Sequence, residues 1–278
     1  MEISKMTRLI SLVKEKKPLI HHMTNVVTIN DCANVTLAIG ASPVMATEIK
    51  EVEDMIQLAD ALIINLGTIH DVVFESMLHA GIAANKKGIP VILDPVGVGA
   101  TSYRTERSME LLEKVKMAII RGNSSEIHTL IGGTGGTKGV DAGEGSVPSI
   151  EIAQQAANAF QCVIGISGKV DVVSNGSKNY FLSNGDERLT RITGTGCMST
   201  SLIGSFSGVT SDYLGAAITG MSIMSLSGER ATKHLATDGG IGTYKIKLMD
   251  EIYRMNEEVF AKEVKIHECQ LQSLFSYR

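Results

Sequence analysis

Short apolar runs alternate with amphipathic stretches along most of this chain. Leu19–Met23, Ala61–Leu66, Val91–Asp94 and Ala118–Arg121 are brief, mostly apolar and bounded by turn residues, which predicts buried strands. Met6–Lys17 carries apolar residues at helical spacing and stops before Pro18, which cannot continue a helix. Thr28–Ile39 closed by Gly40, Glu48–Leu58, and His70–Lys87 with Gly88 at its end predict further helices. Ser42–Met45 is a short extended piece between them. Continuous apolar strands separated by helices call for a parallel sheet covered on both faces.

The pattern changes after Cys162. Val163–Ser167, Asp171–Ser174 and Lys178–Leu182 follow one another quickly, with Asn175-Gly176 between the last two. Asn-Gly between β runs signals a hairpin, because both turn residues must tolerate positive φ. The sheet is therefore expected to finish in an antiparallel edge. Beyond it, Arg191-Ile192-Thr193 reads as a polar, β-prone segment running into Gly194-Thr195-Gly196. A helix of small residues is expected to start near Cys197 and continue through Gly204. Asp212–His234 and Lys245–Phe260 read as helices. No repeat or linker divides the chain, so residues 1–278 are expected to form one α/β domain, with Gly132–Gly145 as a surface connection.

Composition narrows the classes. A net charge of −4, from 26 basic and 30 acidic residues, supplies no electrostatic reason to expect DNA or an anionic membrane as partner. No apolar run is long enough to span a bilayer, and the start of the chain lacks a signal-peptide pattern, so a cytoplasmic protein is expected. The cysteines at 32, 162, 197 and 269 form no CxxC pair, which disfavours a zinc site and a disulfide framework.

Candidate chemistry collects at the predicted strand ends, where open α/β sheets gather ligands. Asp94 opens Asp94-Pro95-Val96-Gly97-Val98-Gly99; Arg121-Gly122-Asn123 follows another strand, with Glu126 just after; Ser167-Gly168-Lys169 follows a third. The glycine turn before Cys197 makes a fourth, its helix N-terminus offering free N–H groups to an anion. Two carboxylates, an arginine and a backbone anion nest suit phosphoryl transfer. Asp94 and Glu126 would position Mg²⁺, and Arg121 would grip phosphate oxygens. Singly, each has a plainer reading. Asp94 forms turns, Glu126 complements a helix dipole, and Met45 fills a core. Adjacent His21 and His22 face opposite sides of a strand, which disfavours a joint metal site. At a helix N-terminus the Cys197 thiol is expected to fall towards neutrality, fit to act as nucleophile or base. Gly194-Thr195-Gly196 lacks the third glycine of a dinucleotide fingerprint, and Gly168-Lys169 lacks the rest of a Walker loop.

With these residues in view the chain resembles the hydroxyethylthiazole kinases of thiamine salvage, members of the ribokinase-like superfamily. The likeness rests on His22–Val27, Gly40–Ala46, Asp94–Thr101, Arg121-Gly122-Asn123 with Glu126, and Gly194–Cys197. Most ribokinase-like enzymes have aspartate where Cys197 stands, as the base facing the substrate hydroxyl; cysteine there is typical of the thiazole kinases. The resemblance implies a three-layer α/β/α fold, ATP as co-substrate, Mg²⁺ beside Asp94 and Glu126, and nucleotide contacts from Arg121, Ser167 and Gly168. It implies a thiazole pocket from Asn25, Val27, Thr28, Met45, Gly67, Thr68 and Gly194, in a homotrimer with sites between subunits. One departure stands out: Gly239–Tyr244 replaces the Pro-Gly-Ser-Phe-like turn common among relatives. A hydroxymethylpyrimidine kinase, an ADP- or ATP-dependent dehydratase of hydrated nicotinamide cofactors, and a non-catalytic ligand-binding protein are the rival readings.

Overall fold

The structure, a computed structural model, describes residues 3–133 and 148–269. Most of the expected 132–145 connection lies outside the described residues. Among the described residues, nine strands form one sheet in the order β2-β1-β3-β4-β5-β6-β7-β8-β9. These are β1 (Leu19–Met23), β2 (Ser42–Val44), β3 (Ala61–Asn65), β4 (Val91–Asp94), β5 (Ile119–Asn123), β6 (Val163–Ser167), β7 (Asp171–Ser174), β8 (Asn179–Leu182) and β9 (Ile266–Cys269). Pairings from β2 through β6 are parallel, and those from β6 through β9 antiparallel. The expected mixed sheet is thus present.

Both faces of the sheet are apolar, as continuous hydrophobic strands require. Ile63, Ile92 and Ile119 join a core with α1 (Ile3–Lys16), α2 (Ile29–Ile39), α8 (Thr195–Ser207), α9 (Tyr213–Lys233) and α10 (Ile241–Arg254). Their neighbours Leu62, Ile64, Leu93 and Ile120 pack on the other face, against α3 (Val52–Leu58), α4 (Asp71–Lys87), α5 (Ser102–Lys114), α6 (Ser124–Leu130) and α7 (Ser149–Phe160). The period-two alternation of strand side chains divides them between the two layers.

Helix α8 is buried along Met198–Ser207 despite its polar composition. Its hydroxyls make this tolerable: Ser201, Ser205 and Ser207 donate to the carbonyls of Cys197, Ser201 and Ile203 one turn back. Small residues also let it sit close. A Cβ on Gly220 of α9 would lie 2.7 Å from the Ile203 backbone nitrogen, so alanine there would force the two helices apart.

Several expectations need correction. The segment before Gly194 is a 3₁₀ turn (Glu187–Arg191) leading to Ile192, rather than a strand. The β8 edge is occupied by β9, leaving that segment no ladder to join. Helix α8 starts at Thr195, capped by Gly194 at φ 89°. Residues 48–51 form a turn, so α3 begins at Val52. Lys245–Phe260 contains the end of α10 and most of α11 (Glu257–Glu263), separated at Met255-Asn256, where the Asn256 side chain caps the second helix. The sequence reading did not mark α5, whose buried residues are only Ser108 and Leu111, α7, which buries Ile150, Ile152 and three alanines, or β9, whose His267 and Glu268 are exposed.

Candidate active site

A cleft of about 360 Å³ lies beyond the carboxyl ends of the parallel strands. Its walls include Asn25, Val27, Thr28, Gly67, Thr68, Asp94, Arg121, Glu126, Ser167, Gly194, Gly196 and Cys197, all expected from sequence. Val96, Asn123 and Thr193 complete the lining. Met45, Gly168 and Thr195 are not among the lining residues. Met45 is half-buried just past β2, and the Thr195 hydroxyl donates to Leu189 O at 3.1 Å. Gly168 sits behind Ser167, its N–H donated to Asp171 Oδ1 at 3.0 Å.

Parallel register explains how distant segments converge. Asn65 stands beside Asp94, and Asn123 beside Ser167, each pair at the ends of adjacent strands. Asp94 is 1% exposed and accepts a 2.8 Å hydrogen bond from Thr200 Oγ1. Burial raises its carboxyl to about 6; Arg121 opposes this and Glu126 adds to it. The nearest Arg121 nitrogen is 3.9 Å from Asp94 Oδ2, a long pair that leaves much of the carboxylate's charge uncompensated.

Glu126 has two partners. Its Oε2 accepts from Asn123 N at 2.8 Å, closing a capping box at the start of α6, while Oε1 accepts from Gly97 N at 2.9 Å. The plain capping role and placement on the cleft therefore coexist. Arg121 reaches across the floor, its side chain 11% exposed, and among the described residues its buried Nε has no partner. Gly196 makes room for it: a Cβ there would stand 2.5 Å from the guanidinium. Gly194 is constrained twice, by its φ of 89° and by Thr28, whose Cγ2 lies 2.5 Å from where a Cβ would be.

The Cys197 sulfur accepts from Asn25 Nδ2 at 3.4 Å and Asn65 Nδ2 at 3.3 Å. Burial nevertheless pushes its thiol above the ordinary value, and the Asp94 charge pushes the same way. This corrects the expectation of a lowered thiol: desolvation and a like charge outweigh the hydrogen bonds from Thr28, Asn25 and Asn65. The two histidines behave as structural groups. His21 bonds Ala46 O and His22 bonds Thr36 Oγ1, and burial lowers both, His22 to about 3.

Sequence reasoning missed Asn65 and Arg104. A polar amide closing an otherwise apolar buried strand was the available signal for Asn65. Arg104, on the unrecognised α5, donates to Leu66 O and Gly67 O on one strand-end loop and Val96 O on the next. It ties two walls of the cleft together.

Among the described residues, no group of three or more His, Cys, Asp or Glu side chains could hold a metal. The Asp94 and Glu126 carboxylates still suit a hard, oxygen-seeking cation that keeps waters and phosphate ligands.

The mixed sheet and its two helical layers form a ribokinase-like fold. A ribokinase-like superfamily protein from Enterococcus faecalis V583 shares the fold alone, with a TM-score of 0.63 at 12% identity, covering 92% of this chain and 96% of that one. The chain belongs to the hydroxyethylthiazole kinase family, whose model matches residues 10–258. A hydroxyethylthiazole kinase from Ruminiclostridium cellulolyticum is 49% identical over 265 residues, covering 94% of this chain and 97% of that protein. The structure of the hydroxyethylthiazole kinase protein from Pyrococcus horikoshii OT3 superposes with a TM-score of 0.87 at 37% identity, over 96% of this chain and all of that one.

Proposed function

We propose that the protein transfers the γ-phosphoryl group of ATP to the primary hydroxyl of hydroxyethylthiazole, in thiamine salvage. The observation that carries this reading is the shared cleft: Cys197 lies at the N-terminus of α8 on the same cavity as Asp94, Arg121 and Glu126. Arg121 and the N–H groups of the Gly194–Cys197 turn would receive phosphate charge, with Ser167 and Gly168 beside the nucleotide. Asp94 and Glu126 would hold Mg²⁺, which when bound neutralises phosphate charge. Asn25, Val27, Thr28, Gly67, Thr68 and Gly194 would contact the thiazole, together with Met45. Because Met45 is not part of the cleft lining, its assignment rests on the resemblance alone.

Cys197 would face the attacking hydroxyl. Its raised thiol makes it a poor base at neutral pH, so most of the rate must come from positioning and charge neutralisation. A loose phosphoryl-transfer transition state permits that division of labour. The homotrimer with sites between subunits is taken from the family resemblance; in it, a neighbouring subunit would cover the exposed Val26 and Val27 beside the cleft. A cytoplasmic location is the reading carried over from the sequence.

A coupled ADP-release assay with hydroxyethylthiazole, with and without Mg²⁺, tests the reading directly. Turnover with that alcohol, dependence on Mg²⁺ and little turnover with hydroxymethylpyrimidine are expected. Preference for the pyrimidine, or dehydration of a hydrated nicotinamide cofactor without phosphoryl transfer, would displace it.

A further inference from the structure

We propose that Asn65 is a positioning residue for the reaction, its amide locked so that a hydrogen-bond donor must face the Cys197 sulfur. This rests on the kinase reading above. Asn65 closes β3, is 1% exposed, and stands beside Asp94 in register. Its Oδ1 accepts from Gly67 N at 2.9 Å and from Asn25 Nδ2 at 2.9 Å, while its Nδ2 donates to Cys197 Sγ at 3.3 Å.

A carboxamide has one accepting end and one donating end. The Gly67 backbone N–H can only donate and cannot turn over, so the oxygen of Asn65 must face it. The NH₂ end is then committed to the sulfur. Asn25 is fixed in the same way, since its Oδ1 takes both the backbone N–H and the hydroxyl of Thr28 at 3.1 Å. Its Nδ2 is left for Asn65 Oδ1 and the sulfur. Two amide donors, each anchored by a backbone N–H, thus converge on one atom.

Their effect on the chemistry follows. Only the thiolate of Cys197 can take the proton of the attacking hydroxyl, becoming a thiol as it does so, and that thiolate is opposed by burial and by nearby Asp94. Asn65 stands beside Asp94 in register, and its amide, which faces the sulfur, also favours the charged form of that carboxylate. It offsets the repulsion between thiolate and carboxylate and fixes which side of the sulfur is open to the cleft. Asn65 is placed against no atom of the substrates; it acts through Cys197.

Two substitutions separate this role from a structural one. Asn65→Ser keeps an oxygen able to accept the Gly67 N–H two residues on, but removes the donor to sulfur. Asn65→Asp keeps the shape and turns that donor into an acceptor. In the full-length protein, kcat should fall about tenfold in Asn65→Ser and roughly a hundredfold in Asn65→Asp, with the KM for ATP within about twofold. In a Cys197→Ala background Asn65→Ser should change kcat by less than about twofold, since the atom it acts through is gone. Iodoacetamide labelling of Cys197 at one neutral pH, followed on the Cys197 peptide by mass spectrometry, should slow in both variants, more in Asn65→Asp.

The labelling needs no substrate. If the wild-type protein fails to phosphorylate hydroxyethylthiazole, the substrate assignment falls, while the labelling still decides whether Asn65 governs the sulfur. An unchanged labelling rate in both variants, or an equal loss of kcat with and without the sulfur, overturns the proposal.

Discussion

Asp94→Asn should make the folded protein more stable and the enzyme far less active. In the folded chain the Asp94 carboxyl is raised from 3.8 to about 6, mainly by burial. The folded state therefore holds its proton more tightly than the unfolded state. Stability is lost as pH rises through that interval, and above about pH 6 the loss is complete. A shift of roughly two units, at about 1.4 kcal/mol each, sets the cost of the buried charge near 3 kcal/mol. Asparagine removes the charge and keeps an oxygen for Thr200, while giving up the long contact to Arg121 and the support of the Asn65 amide. A net gain of about 1–3 kcal/mol remains, worth roughly 2–6 °C in Tm for a chain of this length. Thermal melts at about pH 7.5 with EDTA and no nucleotide should show that rise. Repeated near pH 5, they should show about half of it, because wild-type Asp94 is then largely protonated when folded. In ADP-release assays with saturating Mg²⁺, kcat/KM should drop at least about a hundredfold. A variant less stable at pH 7.5, or a stability difference that does not shrink in acid, would refute the assignment of an uncompensated buried charge at this position.

Other outcomes follow from the same geometry. Cys197→Ala should lower kcat by about ten- to a hundredfold in ADP-release assays while leaving the KM for ATP within about threefold; Cys197→Asp should keep or raise turnover. Loss of ATP affinity in the alanine variant would contradict the role given to the thiol. Gly196→Ala places a methyl carbon 2.5 Å from Arg121, whose flexible end can move aside. The fold should therefore survive, with an unchanged melt, while the KM for ATP rises about tenfold. Arg104→Ala removes three donors from the carbonyls of Leu66, Gly67 and Val96. It should cost about 2–4 kcal/mol by denaturant titration, and lower kcat/KM as the two loops lose their shared tie.

Much of the fold was legible because burial leaves a simple signature. Strands covered on both sides must be continuously apolar, and β1, β3, β4 and β6 appear in the sequence almost to the residue. Gly40 and Gly88 mark the ends of α2 and α4 because each takes the left-handed conformation, at φ 105° and 83°. Strand β9 was missed for the converse reason, since it buries too little apolar surface to print a pattern, whereas α5 and α7 carry helical spacing and still went unmarked. The Glu48–Leu58 and Lys245–Phe260 readings erred at their boundaries, where local hydrogen bonds at Glu48 and Asn256 decide the outcome.

The sequence by itself determined the alternation of layers, the antiparallel finish of the sheet and the residue types at each strand end, because local periodicity and turn chemistry are properties of neighbours along the chain. Tertiary structure alone decided which of those residues meet. It set Asn65 beside Asp94, turned both amides towards one sulfur, and left Arg121 too far from Asp94 to neutralise it fully. It also reversed the expected ionisation of Cys197, since desolvation and the field of a distant-in-sequence carboxylate depend on what surrounds an atom in space.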